Sequence, residues 1–246
     1  MVNKAFLPDA IFPLGTISKI NPLTQVNQPP SPAPHFAIAI DGPAASGKST
    51  LARLLAQRLG LIMVNSGAMY RAITWKVLQQ HIDPLDSAAV IALLKRIAIH
   101  CGHDGTTSTI TIDGVDPGDE LRAAAINANV SAIAAIPEVR DQLIDLQRGY
   151  LQHASIVMEG RDIGSVVFPD TPYKIYVDAA EHVRAARRND MGEVDSIARR
   201  DAADSQRATA PLVVADGATI LDNSHHTIES GLTAALEILQ RQGLPA

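Results

Sequence analysis

Gly42-Pro-Ala-Ala-Ser-Gly-Lys-Ser49 is the stretch that decides the fold. It satisfies the pattern G-x-x-x-x-G-K-S/T of a phosphate-binding loop. There, glycines let main-chain N–H groups wrap a β-phosphate, and the helix that follows adds positive potential from its N-terminus. In that pattern Lys48 bridges the β- and γ-phosphates and the Ser49 hydroxyl ligates Mg2+. The surroundings fit as well. Phe36-Ala-Ile-Ala-Ile40 is short and apolar, as a buried strand should be. Leu51, Leu54, Leu55 and Leu59 form one apolar stripe on a helix over 48–59, which Gly60 stops. Leu61 to Val64 reads as a second buried strand. Strand, loop, helix, strand is the opening of a parallel α/β sheet.

Working outward, 66 to about 150 is expected to be mostly helical. Tyr70, Ile73, Val77 and Leu78 make one helical stripe, and 88–96 a second, shorter helix. Ile97/Ile99 and Ile110/Ile112 alternate, ending in turn-like Asp113-Gly114, and predict a small antiparallel sheet. Helices are expected over about 119–136 and 138–150, separated by Pro137. Core strands resume at 155–158, 174–177 and 218–221, with helices between them and a last helix over about 227–241. Trp75 and the stripe around Ile73 read as core.

The net charge of -5 argues against broad binding to nucleic acid or anionic membrane, both of which need a basic face. Cys101 is the single cysteine, so neither an intramolecular disulfide nor a cysteine-rich zinc site can form. That suits a reducing cytosol. No run approaches the roughly 20 apolar residues of a spanning helix. Seven prolines crowd residues 1–34, which are expected to be a disordered or loosely attached tail. The expected division is this tail and one phosphate-loop domain, 35–246, with a core at 35–65 and 155–246, an insert at about 66–154 and a short connecting stretch at about 184–200.

The loop gives the donor and leaves the acceptor open. GTPase switches read guanine with Asn-Lys-x-Asp, and the only Asn-Lys here, Asn3-Lys4, lacks the aspartate. Glu159 and Asp178, each at a strand end, are the nearest candidates for a magnesium-side carboxylate, and neither is convincing from sequence. Asp41 reads either as holder of a magnesium-bound water or as a strand-end turn carboxylate. Arginine's planar fork pairs bidentately with phosphate and stays charged. Arginines recur beside turn residues in Asn65-Ser-Gly-Ala-Met-Tyr-Arg71, Glu159-Gly-Arg-Asp162 and Arg200-Asp-Ala-Ala-Asp204-Ser-Gln-Arg207, as a site holding two phosphate groups would need.

The segments GPAASGKST, NSGAMYR, Ser131 through Pro137-Glu-Val-Arg140, GRDIGSVVFPD at 160–170 and RDAADSQRATAPL at 200–212 occur in order. Together, over about residues 36–241, they resemble bacterial cytidylate kinase, which makes CDP and dCDP from CMP and dCMP with ATP. The resemblance implies a parallel-sheet P-loop NTPase core with helices on both faces, a monophosphate-binding insert carrying the small antiparallel sheet, and a lid. ATP with Mg2+ would be held by Gly42, Pro43, Ala44, Ala45, Ser46, Gly47, Lys48, Ser49 and Thr50, with Arg184, Arg187 and Arg188 reaching its phosphates. Ser49 would be the metal ligand. Cytosine offers an amino donor beside two acceptors. Asp162 would accept from N4, while Ser131 and Arg140 would donate. Ser66 and Tyr70 would shape the pocket, Arg71 and Arg161 clamp the acceptor phosphate, Asp204 bind a sugar hydroxyl, and Arg200 and Arg207 span the sugar and the transferring group. Lys48, Arg161, Arg200 and Arg207 are the catalytic set. The resemblance also implies a cytoplasmic enzyme of pyrimidine metabolism, taken to be a monomer.

Two expectations stay open at this level. Between Arg188 and Arg200 the chain is shorter than many relatives by roughly three helical turns, so the lid is expected to close less completely. Kinases of the same fold acting on AMP, UMP or shikimate, or a non-catalytic nucleotide-binding module, share the loop.

Overall fold

A computed structural model describes residues 35–190 and 210–245. The tail, most of the expected lid, and Arg200, Asp204 and Arg207 lie outside the described residues.

Five parallel strands build the main sheet in the order β2-β5-β1-β6-β7: β1 (Ala37–Asp41), β2 (Ile62–Asn65), β5 (Ile156–Gly160), β6 (Lys174–Asp178) and β7 (Thr219–Asp222). Period-two alternation divides β1 between two apolar cores. Ala37 and Ala39 face a core with Met69, Ile73, Ile133 and Leu143, while Ile38 and Ile40 face another with Leu55, Val177 and Leu239. Both faces are covered, which is why the strands read as continuous apolar runs. One core is covered by α2 (Ser66–Gln79), α4 (Ala124–Ala134) and α5 (Pro137–Gly149), the other by α1 (Lys48–Leu59) and α7 (Ile228–Arg241).

The chain leaves β1 through α1 and returns at the sheet edge as β2, so β1 ends up flanked by β5 and β6. Connections diverge at its carboxyl end, the place where open parallel sheets bind ligands. Gly42 stands there with φ 148°, and any Cβ would overlap the main-chain oxygen of Val177 on β6. Only glycine lets the loop turn out of the sheet this tightly.

α1 begins and ends where the sequence places it, and α3 (Ser87–Leu94) overlaps the shorter predicted helix, starting one residue before it and ending two residues short. Leu54 departs from the expected stripe: it is half-buried and lines a cleft, while Ala52 and Ala56 join Leu51 and Leu55 in the core. β3 (Ile99–His103) and β4 (Ser108–Ile112) pair antiparallel as a two-stranded sheet, and Asp113 and Gly114 after them turn with φ 52° and 78°. The helix expected over 119–136 is interrupted. A 3-10 turn, Gly118–Arg122, precedes an extended Ala123 and then α4. The indole Nε1 of buried Trp75 donates to Glu120 Oε2 at 2.7 Å and fastens that turn. Pro137 opens α5 from its first turn, where a missing N–H costs nothing.

No full helix joins β5 to β6. One π-helical turn, Ile163–Val167, does so, and the strong bias of a residue before proline away from helix stops it at Phe168-Pro169. Its first two N–H groups, of Ile163 and Gly164, donate to the two oxygens of Asp41 at 2.7 Å each. Asp41 is therefore a strand-end carboxylate with both oxygens committed to main chain, the second of its two sequence readings.

Candidate functional site

Lys48 is the first residue of α1 and is 7% exposed. Its ammonium donates to the Pro43 carbonyl at 3.1 Å and stands 4.0 Å from Glu159 Oε2. Ser49 Oγ donates to the other Glu159 oxygen at 3.0 Å. Glu159 is buried on β5 beside β1, so an ammonium, a hydroxyl and a carboxylate converge at the mouth of the phosphate loop. Gly47, at the N-cap with φ 95°, supplies no side-chain cap, which leaves first-turn N–H groups of α1 for an anion.

A cleft of about 1410 Å³ runs from this loop along the carboxyl ends of the strands. Single-ligand pockets are typically about 300–1,000 Å³, so it is large enough for two nucleotides. Ala44, Ala45, Gly47, Lys48, Ser49 and Thr50 line one part. Gly42, Pro43 and Ser46 are not among the lining residues. Ser66, Tyr70, Arg71, Ser131, Arg161 and Asp162 line the other part, and Arg187 and Arg188 also reach the wall.

Most of these side chains are already held by neighbours. Ser66, buried in the first turn of α2, donates to the Glu159 carbonyl at 2.8 Å, while Asn65 supplies the helix cap by accepting from Ala68 N. Arg71 Nε donates to Asn127 Oδ1 at 3.4 Å, and Arg161 Nη1 to the Gly42 carbonyl at 3.0 Å. Arg161 thus reaches back from the end of β5 to the start of the phosphate loop. Arg140 is not on the cleft wall. It is 2% exposed, pairs with Asp162 Oδ2, donates to the Ala134 carbonyl at 3.3 Å, and lies 5.6 Å over the Tyr70 ring. Such stacking of guanidinium on an aromatic face is favourable when desolvated.

The arrangement around Arg187 differs from the phosphate-reaching role expected of it. On α6 (Glu181–Asp190), its guanidinium donates to the Ser46 carbonyl at 3.2 Å and the Asn223 carbonyl at 2.9 Å. Glu159, Asn223 and Asn127 are the residues that sequence reasoning missed or set aside. Glu159 carried one signal, an acidic residue closing a core strand; nothing local marked the other two.

Burial pushes the Asp41 carboxyl up to about 7, against its two N–H donors, with Asp162 nearby adding to the rise. Between about pH 4 and 7 the folded chain therefore holds this proton more firmly than the unfolded chain. Stability contributed at Asp41 falls as pH rises through that window, by on the order of 4 kcal/mol in all. Asp104, Asp113 and Asp222 are held below the usual carboxylate range by hydrogen bonds, so their contributions are lost only in more acid solution. Urea unfolding between pH 5 and 7.5 should show a falling midpoint that the non-titrating Asp41→Asn variant lacks. Parallel pH profiles for the two proteins would remove Asp41 as the cause.

A family profile described as cytidylate kinase matches residues 38–241. The cytidylate kinase of Corynebacterium glutamicum is 42% identical over 221 residues, which cover 85% of this chain and 96% of that protein. That of Streptomyces avermitilis is 39% identical over 220 residues, covering 85% and 94%, and that of Limosilactobacillus fermentum 42% over 204 residues, covering 78% and 90%. The phosphate loop, the Arg140–Asp162 pair and the GRDIG turn all fall within the matched span, and this chain belongs to the cytidylate kinase family.

Proposed function

We propose that this chain transfers the γ-phosphoryl group of ATP to CMP or dCMP, giving CDP or dCDP and ADP, in pyrimidine nucleotide metabolism. The observation that carries the proposal is Asp162 on the wall of the same cleft that begins at Lys48, paired with the buried Arg140 behind it. Asp162 would accept a hydrogen bond from the cytosine amino group, with Ser131 donating to one ring acceptor and Arg140, turned from behind Asp162 toward the bound base, donating to the other. Uracil would turn a carbonyl toward the Asp162 carboxylate, and a buried site rejects such a mismatch strongly. Arg140 holds Asp162 from behind, and Tyr70 stacks under Arg140.

Donor phosphates would lie against the N–H groups of 44–50 and the Lys48 ammonium. Arg71 and Arg161 would clamp the acceptor phosphate, whose oxygen attacks in line. That oxygen is already anionic, so no strong general base is required, and catalysis rests on positioning and on cations around the transferring group. Arg200, Arg207 and Asp204 complete this proposal from outside the described residues. The donor set also suits Mg2+. Ser49 Oγ and Glu159 Oε1 are 3.0 Å apart, and oxygen donors of this kind hold a hard cation that takes its other ligands from phosphate and water. Bound there, Mg2+ would neutralise charge on the donor phosphates.

The domain division into core, insert and short lid belongs to the same proposal. So does a cytoplasmic monomer; for the lack of nucleic-acid or membrane partners, the net charge of -5 is the support. Among the described residues no helix is long and apolar enough to cross a membrane. The test is ADP release from ATP with CMP, dCMP, UMP, AMP or shikimate as acceptor. CMP and dCMP are expected to support turnover far above the others. Absence of CMP-dependent ADP release overturns the proposal.

A further inference from the structure

Three successive main-chain oxygens on the outside of the phosphate loop are taken up by side chains from elsewhere in the fold. Arg184 Nη1 donates to the Ala44 carbonyl at 3.3 Å. Arg187 Nη1 reaches the Ser46 carbonyl at 3.2 Å, with a longer contact of 3.5 Å to Ala45. Asn223 Nδ2 donates to the same Ser46 oxygen at 2.8 Å. The two Ser46 ligands are tied to each other, because Arg187 Nη2 donates to the Asn223 carbonyl at 2.9 Å. Asn223 is tied to the sheet in turn, its N–H donating to the Asp178 carbonyl at 2.7 Å where β6 and β7 end.

This matters because a peptide plane is rigid, and a carbonyl held outward sends the N–H of the following residue inward. Fixing the oxygens of 44–46 fixes the N–H groups of 45–47, which face the site of the donor phosphates. The loop needs such support. Ala45 sits at φ 59°, a left-handed conformation that costs a residue with a Cβ roughly 1–2 kcal/mol. Gly47 has no room for a side chain, since a Cβ there would overlap Asn223 Nδ2.

We propose that Arg187 and Asn223 are positioning residues, a bracket that holds the phosphate loop by its outer carbonyls, and that Arg187 acts through the loop and not by contact with the γ-phosphate. The proposal rests on the reading of this loop as the ATP site. It predicts that the bracket serves ATP and ADP alike, because the loop encloses the β-phosphate that both carry.

The experiment is calorimetric titration of MgATP and MgADP, without acceptor, into the full chain and into Arg187→Ala, Asn223→Ala and the double variant. Hydrogen bonds from charged groups are stronger than neutral ones, so Arg187→Ala should weaken both nucleotides by about tenfold or more and by the same factor. Asn223→Ala should weaken both by a smaller, equal factor. The double variant should lose less than the product of the single losses, since one oxygen is shared. In turnover, KM for ATP should rise while KM for CMP stays put, which general destabilisation would not produce. A loss for ATP at least tenfold larger than for ADP would assign Arg187 to the γ-phosphate and overturn the proposal. Independent single losses, or no loss, overturn it equally. If Arg187→Ala fails to fold, Arg187→Lys carries the test: one ammonium cannot span both carbonyls, so an equal and partial loss is expected. A wild-type chain that binds neither nucleotide would refute the ATP reading itself, while one that binds both without using CMP would refute only the proposed acceptor.

Discussion

Lys48→Ala should lower kcat/KM for CMP-dependent ADP release by about 10³ or more, the scale on which single cationic or oxyanion-type stabilisers act. The geometry makes the loss specific. Lys48 is almost fully buried, so its charge works against little water, and its ammonium is aimed along the loop by the Pro43 carbonyl. Among the described residues, Arg161 and Arg187 are engaged elsewhere, with the Gly42 carbonyl and with the outer carbonyls of the loop. Removing it also leaves Glu159 with Ser49 and without its cation, so some stability is lost too. Steady-state kinetics with CMP, beside circular dichroism to confirm folding, decides the matter. A folded variant keeping a tenth of wild-type activity would show that the ammonium does not face the transferring phosphoryl group.

The second large effect is on the choice of acceptor. Asp162→Asn replaces a carboxylate, which only accepts, with an amide that both accepts and donates. Sites built on buried hydrogen bonds discriminate by up to about 10⁴–10⁵, and the CMP-to-UMP ratio of kcat/KM should fall by at least about tenfold when that rule is relaxed. The same change strands Arg140, 2% exposed, without its counter-ion. Breaking a buried pair from one side typically costs about 3–5 kcal/mol, so the urea midpoint should fall as well. A lower midpoint with an unchanged CMP-to-UMP ratio would assign the pair to folding alone.

What the sequence made legible was local. The phosphate loop, β1 and α1 are specified by consecutive residues: an apolar run, a glycine pattern, a leucine stripe and Gly60 as stop. The alternation at Ile110/Ile112 likewise announced β4. Features that depend on chain reversal were not legible. Glu159 meets Ser49 only because β5 lies beside β1, a fact of strand order that no window of sequence contains. Arg187 and Asn223 are 36 residues apart and become one device only when α6 and the end of β7 reach the same loop. Helical propensity also misled at two places. The alanine-rich stretch before α4 is broken at Ala123 by tertiary attachment of the preceding turn, and the segment after Asp162 is kept to one π turn by Pro169 and by Asp41.

The grip of Asp41 on that π turn carries a further consequence. Two amide protons, of Ile163 and Gly164, point at one carboxylate inside the protein, each across 2.7 Å. Above about pH 7, where Asp41 is ionised, these bonds are charge-assisted and stronger than neutral ones, and buried amides exchange with solvent only when the structure opens. In a nitrogen–proton NMR spectrum these two signals should sit apart from the crowd and be slow to disappear in heavy water. They offer a gauge of whether Arg161 and Asp162 are seated, readable with no nucleotide present.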